Sequence, residues 1–213
     1  MKQAWVSVVF MFLITLFFGS LVSVVKAVSE DRIAHNQAVK LQRIVLQVLN
    51  IKLDPEAGDE QVIRLFRDRI KTIEVKDRTF YIGYEKDGRT IRGYAFPVGG
   101  PGFWGPIYGL MAVDPKAEKV LGIAYYKQNE TPGLGARITE KWFQDQFVGL
   151  RLHPIEGDKK IFYLKPESAS RKPNELSAIT GASRTSDAVA SFLNRDLDGF
   201  LKDFWPSLRV KKG

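Results

Sequence analysis

An uninterrupted apolar segment near the start of the chain limits what the first part of the protein can fold into. Residues 4–25 are 22 consecutive positions without a charged side chain, rich in Phe, Leu, Val and Ile. As a helix, this segment is roughly 33 Å long, which is enough to cross the hydrocarbon core of a bilayer. A cleaved signal peptide is the alternative, but its apolar core normally runs for only about 7–15 residues. We therefore predict a single-pass transmembrane anchor over residues 1–27.

The composition excludes several kinds of redox and metal site. The chain has no cysteine, which rules out thiolate-bound iron–sulfur clusters, and its two histidines, His35 and His153, lie far apart in sequence. The net charge of +8 comes from Lys and Arg residues scattered among acidic ones. We expect no metal site and no nucleic-acid partner, and we interpret the charge as a basic face near anionic lipid or an acidic partner.

Hydrophobic periodicity divides the rest of the chain into a helical part and a mixed part. Apolar residues at three- and four-residue steps predict helices over residues 28–53 and 59–70, and Asp54-Pro55 is expected to end the first. The period then changes to the alternation typical of strands. The predicted strands are residues 79–84, 90–96, 107–113, 120–126 and 161–164. The sequence therefore predicts a helical lead-in over residues 28–76 and an α+β domain with mostly antiparallel strands over residues 77–213.

Two helices are predicted within the mixed domain. Thr139 is interpreted as the cap of a helix that runs to residue 150 and buries Trp142, Phe143 and Phe147. The second helix follows Ser186, which is interpreted as its N-cap. Its apolar residues recur at helical spacing along one face from residue 189 to residue 204.

Two glycine-rich turns stand out in the mixed domain. Residues 98–106 contain four glycines with Phe103 and Trp104, two aromatic side chains that are costly to expose together. We expect Trp104 to pack in the core, with contact to a planar ligand as the lesser alternative. Residues 128–135 follow a strand, and their Pro132-Gly133 step predicts a tight turn with access to positive φ. By itself this turn is also compatible with a plain strand–helix connection.

The segment Thr180-Gly181-Ala182-Ser183-Arg184-Thr185-Ser186 places several hydroxyl groups at the start of the last helix. Free backbone N–H groups, the positive end of a helix dipole and a nearby Arg suit a phosphate group. An ordinary Ser/Thr-rich capping turn is the alternative, and the local sequence does not separate the two.

Three motifs in this order resemble the covalent-flavin subunits of two bacterial respiratory complexes. Thr-Gly-Ala-Ser at residues 180–183 is similar to the [Ser/Thr]-Gly-Ala-Thr element of the C and G subunits, respectively, of the sodium-translocating NADH:quinone reductase and the Rnf ferredoxin:NAD complex. Glu-Thr-Pro-Gly-Leu-Gly at residues 130–135 resembles the second signature of these proteins. Gly-x-Gly-x-Trp at residues 100–104 resembles the quinone-reductase protein before a strand.

The resemblance implies that the mixed domain binds FMN and that the phosphate of FMN is esterified to Ser183 by a separate flavin transferase. It also implies that the segment after Gln128 lies against the isoalloxazine ring, with Leu134 as a ring contact, while Glu130 either fixes the turn or approaches the ring edge. This chain has Ser where the family usually has Thr as the acceptor, and Ser177 where the family has Asp. The cofactor-binding residues implied are Ser183, Thr180, Gly181, Ala182, Arg184, Thr185, Glu130, Thr131, Pro132, Gly133, Leu134, Gly135 and Trp104.

The function implied is that of an electron carrier, a flavoprotein subunit tethered to the bacterial inner membrane with its soluble domain in the periplasm. Its partners would be other membrane subunits of a multi-subunit electron-transport complex and the flavin transferase. No His/Asp/Ser or paired-carboxylate constellation is visible, so we expect no catalytic acid, base or nucleophile. The alternative is an anchored non-redox binding protein, or a degenerate family member that binds FMN non-covalently or not at all.

Overall fold

The computed structural model describes residues 2–153, 160–166 and 172–210 of the 213-residue chain. Contacts divide the chain into two compact units, Met1–Lys40 and Leu41–Gly213. The helices and strands, in chain order, are α1 Lys2–Val48, α2 Asp59–Arg69, β1 Ile70–Val75, β2 Arg78–Tyr84, β3 Ile91–Pro101, β4 Pro106–Val113, β5 Val120–Lys127, a 3-10 helix Gly135–Thr139, α3 Lys141–Asp145, β6 Tyr163–Lys165, β7 Glu175–Ser177, α4 Ser183–Gly199, a π-helical turn Phe200–Phe204 and α5 Trp205–Val210.

The first unit is formed by most of α1, a helix long and apolar enough to cross a membrane. Its large apolar side chains between Trp5 and Val28 are exposed. The hydroxyls of Thr15 and Ser23 donate to the carbonyl oxygens of Met11 and Gly19, both at 2.9 Å, so these polar groups are satisfied within the helix. The predicted anchor and the predicted helix over residues 28–53 are one continuous helix, because no Pro or Gly separates them.

The end of α1 differs from the prediction, which used Asp54-Pro55 as the stop. Asn50 takes a left-handed conformation at φ 53°, and the Ile51 N–H donates to the Leu46 carbonyl oxygen at 2.9 Å. The Asn50 N–H donates to the Gln47 carbonyl oxygen, also at 2.9 Å, which completes a Schellman cap several residues before the proline. Arg92 from β3 donates to the carbonyl oxygens of Leu49 and Asn50, so the sheet satisfies the helix end.

Five antiparallel strands form the main sheet, in the order β1-β2-β3-β4-β5. The end of α1 lies close against one face of this sheet. A Cβ atom added at Gly122 in β5 would lie 2.7 Å from the carbonyl oxygen of Val48, so only glycine allows this approach. The prediction of an N-terminal apolar helix followed by an α+β domain with mostly antiparallel strands is confirmed.

The opposite face of the sheet carries the main core, which it shares with α4 and the following π-helical turn. Phe96 of β3 stacks on Phe200 with ring centroids 4.2 Å apart, and Phe80 of β2 lies beside both rings. Val189, Phe192, Leu193 and Leu197 on one face of α4 are buried, as the helical spacing predicted. This packing places the start of α4 beside the turn that joins β3 to β4.

Three details of the predicted elements are wrong. Strand β1 was not predicted, because its alternation follows directly on α2 without a turn residue. The predicted helix over residues 139–150 is a 3-10 helix followed by the short helix α3, and the Thr139 hydroxyl donates to the Ala136 carbonyl oxygen instead of capping. Phe143 and Phe147 are buried as predicted, but Trp142 is exposed, with its indole N–H donating to Glu140 and Arg137 over its ring.

Candidate functional site

The tip of the β3–β4 hairpin forms one wall of the candidate site. The Gly102 N–H donates to the Gly105 carbonyl oxygen at 2.8 Å, which closes a short loop. Phe103 and Trp104 sit in this loop with ring centroids 4.9 Å apart, and 67% of Trp104 is exposed. The expectation that Trp104 packs in the core is therefore wrong. The loop lies beyond the last strand pair, Pro101 with Pro106.

The turn after β5 forms a second wall. Gly133 has φ 73°, as the Pro-Gly step predicted, and the Leu134 N–H donates to the Thr131 carbonyl oxygen at 3.1 Å. The Thr131 carbonyl oxygen also accepts from the Ala136 N–H at 3.1 Å, which joins the turn to the 3-10 helix. The turn leaves the apolar side chain of Leu134 exposed.

The start of α4 forms the third wall, and it differs from the prediction. The helix begins at Ser183, three residues before the predicted N-cap, and Ala182 occupies the cap position without a side-chain bond. Ser186 is buried within the first turn, where its hydroxyl accepts from the Ile179 N–H at 3.0 Å and donates to the Ala182 carbonyl oxygen at 3.1 Å. Because Ser186 braces the preceding turn, Ser183 stands exposed at the helix start.

Glu130 lies beneath these walls and is 4% exposed. Its Oε1 accepts from the Trp104 N–H at 2.9 Å, and its Oε2 accepts from the Thr185 hydroxyl at 2.5 Å. The sequence left open whether Glu130 fixes the turn or approaches a ring edge, and these bonds show that its carboxylate fixes the loop and the helix. Asp196 of α4 acts similarly further along, where its Oδ2 accepts from the Gly99 N–H at 2.9 Å.

The three walls enclose a cavity of about 370 Å³. Its lining residues are Phe103, Trp104, Glu130, Thr131, Leu134, Gly135, Gly181, Ala182, Ser183, Arg184 and Thr185. Of the predicted site residues, Thr180, Pro132 and Gly133 do not line it, and the latter two act through the shape of the turn. Phe103 was not predicted as a site residue, although its position beside Trp104 in the glycine-rich loop was the available signal.

The charge at the cavity is asymmetric. The Arg184 guanidinium lies over the Phe103 ring, 4.9 Å from its centroid, so a cation covers an aromatic edge of the mouth. The first turn of α4 contains no acidic residue, and Asp187 lies one residue beyond it. On β5, below the cavity, burial raises the pKa of Tyr125. The site thus combines a cation, a helix N-terminus and an apolar rim.

Comparison with known proteins agrees with this geometry. The model of the FMN-binding domain family matches residues 102–198, a range that begins at the hairpin loop and ends in α4. The C subunit of the Na(+)-translocating NADH-quinone reductase is 36% identical over 123 residues in Neisseria meningitidis, covering 58% of this chain and 45% of that protein. In Vibrio vulnificus it is 30% identical over 140 residues, covering 66% of this chain and 51% of the relative. The chain spans about half the length of these curated relatives.

Solved structures show the same fold at lower identity. The crystal structure of the corresponding protein from Parabacteroides distasonis has a TM-score of 0.66 at 22% identity, covering 79% of this chain and 93% of that chain. The Shewanella oneidensis NqrC structure has a TM-score of 0.68 at 20% identity, covering 80% and 97%. The chain therefore contains an FMN-binding domain, and it is a member of the family that includes the C subunit of the sodium-translocating NADH:quinone reductase and the G subunit of the Rnf complex.

Proposed function

We propose that this chain is a membrane-anchored flavoprotein subunit that holds FMN in the cavity and passes electrons within a respiratory complex of the sodium-pumping NADH:quinone reductase or Rnf type. One observation carries the proposal. Ser183 presents an exposed hydroxyl at the first turn of α4, inside the cavity and within the Thr-Gly-Ala-Ser element. A hydroxyl placed there can carry the phosphate of a flavin whose ring lies between the other two walls.

The cavity residues fit such a group. Phe103, Trp104 and Leu134 present exposed apolar surface on two sides, which suits the faces of a planar ring. The amides of the first turn of α4 precede the first intrahelical bond of this helix, from the Ser186 N–H to the Ala182 carbonyl oxygen. Those N–H groups and the Arg184 guanidinium suit a phosphate monoanion.

FMN supplies one- and two-electron transfer when it is bound, and the protein supplies position and electrostatics. The side chains of Phe103 and Trp104 exclude water from one side of the cavity, and Leu134 does so from the other. Arg184 and the helix N-terminus favour negative charge at the mouth. None of these tasks needs a catalytic acid or base.

Attachment at Ser183 is a phosphoryl-group transfer from an activated flavin phosphate, carried out by a flavin transferase. The Ser183 Oγ–P bond forms, the bond from phosphorus to the leaving group of the donor breaks, and the hydroxyl proton is released. The resulting phosphodiester keeps one negative charge at the helix N-terminus. Ser177, which stands where the family has Asp, lies at the end of β7, where the Gln146 side chain bonds to both its N–H and its carbonyl oxygen.

The apolar part of α1 provides the anchor in this proposal. We place it as a single span in the bacterial inner membrane, with the FMN-binding domain on the periplasmic side. A covalent tether suits that side, because a dissociated FMN would be lost there. Other membrane subunits of the complex are the proposed partners, since the relatives are named as subunits of such a complex.

Flavin fluorescence in a denaturing gel tests the proposal. The full chain, co-expressed with a flavin transferase, should give a fluorescent band that disappears in Ser183→Ala and persists in Ser183→Thr. Thr180→Ala is the matched control, because it removes another exposed hydroxyl of the same segment outside the cavity lining. A band that survives in Ser183→Ala would contradict the acceptor, and a dark wild type would contradict covalent attachment.

A further inference from the structure

Glu130 connects the three walls of the cavity, although they come from distant parts of the sequence. We propose that it is a positioning residue for the flavin ring, which it does not itself contact. This inference rests on the proposed function, because it assigns a role in holding FMN. Its basis is that each carboxylate oxygen is engaged by a different wall.

The two hydrogen bonds of Glu130 run in opposite directions. Oε1 holds the backbone N–H of Trp104, 26 residues earlier, and so fixes the hairpin loop that carries both exposed aromatic rings. Oε2 holds the hydroxyl of Thr185, 55 residues later and two residues after Ser183. Glu130 itself lies next to the Thr131–Leu134 turn, so one side chain sets the spacing among all three walls.

Two glycines leave the space that this side chain occupies. A Cβ atom at Gly102 would lie 2.6 Å from Oε1 of Glu130, and a Cβ atom at Gly135 would lie 2.8 Å from Oε2. Both distances are far below van der Waals contact, so any larger residue at either position would displace the carboxylate. The two glycines of the glycine-rich segments are thus explained by the path of Glu130.

The position of Trp104 depends on this bond more than on packing. Its side chain is 67% exposed, and its ring contact within the described residues is with Phe103, which is itself exposed. The loop therefore has little core burial to hold it in place. Since a hydrogen bond to a buried carboxylate is stronger than one between neutral groups, the Glu130 bond is the main restraint on the wall that faces the ring.

The experiment separates ring position from attachment. In Glu130→Gln the amide can still accept from the Trp104 N–H, but its NH₂ group faces the Thr185 hydroxyl, which has donated to the carboxylate. Thr185→Val removes that hydroxyl with little change in shape, and Thr185→Ser restores it. Asp87→Asn and Thr90→Val are matched controls, since the Thr90 hydroxyl also donates to a carboxylate at 2.5 Å, in the exposed β2–β3 hairpin.

We expect Glu130→Gln and Thr185→Val to keep the covalent flavin band, because Ser183 is intact. In the folded protein, their flavin fluorescence anisotropy should fall toward that of free FMN, because the ring is no longer held. In a Ser183→Ala background, both should bind added FMN about tenfold more weakly, the loss expected for a broken charge-assisted bond. Thr185→Ser and the two control variants should match their parent in both measurements.

The proposal is overturned if Glu130→Gln and Thr185→Val fold and retain wild-type anisotropy, or if Thr185→Ser loses it as completely as Thr185→Val. If Glu130→Gln does not fold, the Val and Ser pair at position 185 decides the outcome. A wild type that carries no flavin would refute the proposed function, and hydrogen exchange in that flavin-free chain would still test the clamp. The Trp104 amide should then be protected in wild type and exchange faster in Glu130→Ala, and equal rates would refute the clamp.

Discussion

Replacing Gly181 with Ala tests whether the turn before α4 needs glycine for its backbone, for the cavity, or for both. Gly181 has φ 78°, a left-handed conformation that costs a non-glycine residue roughly 1–2 kcal/mol. The lower entropy of the unfolded Ala chain offsets about 0.4–1 kcal/mol of this cost. The net loss in free energy of unfolding is therefore about 1 kcal/mol, which corresponds to a fall in Tm of about 2–4 °C for a chain of this size.

The cavity effect of this substitution is separate from the backbone cost. A Cβ atom at Gly181 would lie 3.2 Å from Cδ2 of Leu134, so Leu134 must move within the cavity that it lines. Gly88 is the matched control, because its φ is 64° and nothing lies within 4 Å of an added Cβ. Both Ala variants should lose similar stability, but only Gly181→Ala should lower the flavin content of the chain.

The assay combines thermal unfolding of the full chain in detergent with flavin fluorescence per chain. Unfolding is followed by circular dichroism, and each variant is prepared with and without the flavin transferase. Equal loss of flavin in Gly88→Ala and Gly181→Ala would refute the reasoning, since a global loss of stability would then explain it. An unchanged Tm in both variants would refute the backbone cost.

Two further predictions concern residues outside the cavity. Asp196→Asn should lower the free energy of unfolding by about 1.5–3 kcal/mol in urea titrations, because the buried carboxylate accepts from the Gly99 N–H and from Arg195, whereas the exposed Asp198→Asn should change it by less than about 1 kcal/mol. The Thr90 hydroxyl bond, with the Arg89 and Thr90 amides, lowers the pKa of Asp87 from 3.8 to about 2. A lowered carboxylate pKa stabilises the fold above its unfolded value, so the Tm advantage of wild type over Asp87→Asn should be constant above about pH 4 and shrink as the pH falls toward 2; a constant advantage down to pH 2 would contradict the assignment.

Local sequence predicted those parts of the fold whose cause is local. The Asp-Gly hairpin is closed by the Glu85 N–H bond to the Thr90 carbonyl oxygen, and Gly88 has the positive φ expected of such a turn. The Pro132-Gly133 turn and the buried stripe of α4 follow equally from spacing and residue type. The end of α1 was mispredicted because Asn50 took the left-handed cap position, for which the sequence offered only a weaker signal than Asp54-Pro55.

The candidate site was predictable in its members and not in their arrangement. The sequence could mark Ser183 and the Glu130 segment only through resemblance, because a Ser/Thr-rich turn and a Pro-Gly turn each have an ordinary structural explanation. It misassigned Ser186 as the helix cap, since the competing brace from the Ile179 N–H is a contact made only once the turn has folded.

The same limit explains Trp104 and Glu130 together. Hydrophobicity alone argues that an indole belongs in the core and that a carboxylate belongs in water. Here the indole is exposed and the carboxylate is buried, and the two are joined by one hydrogen bond. An inversion of this kind costs stability unless something else uses it, because exposed apolar surface and a buried polar group are both unfavourable. A flat apolar ligand that covers Trp104 would recover the first cost, and the bonds from the Trp104 amide and the Thr185 hydroxyl offset the second. The two failures of residue-by-residue reasoning therefore point to the same cavity.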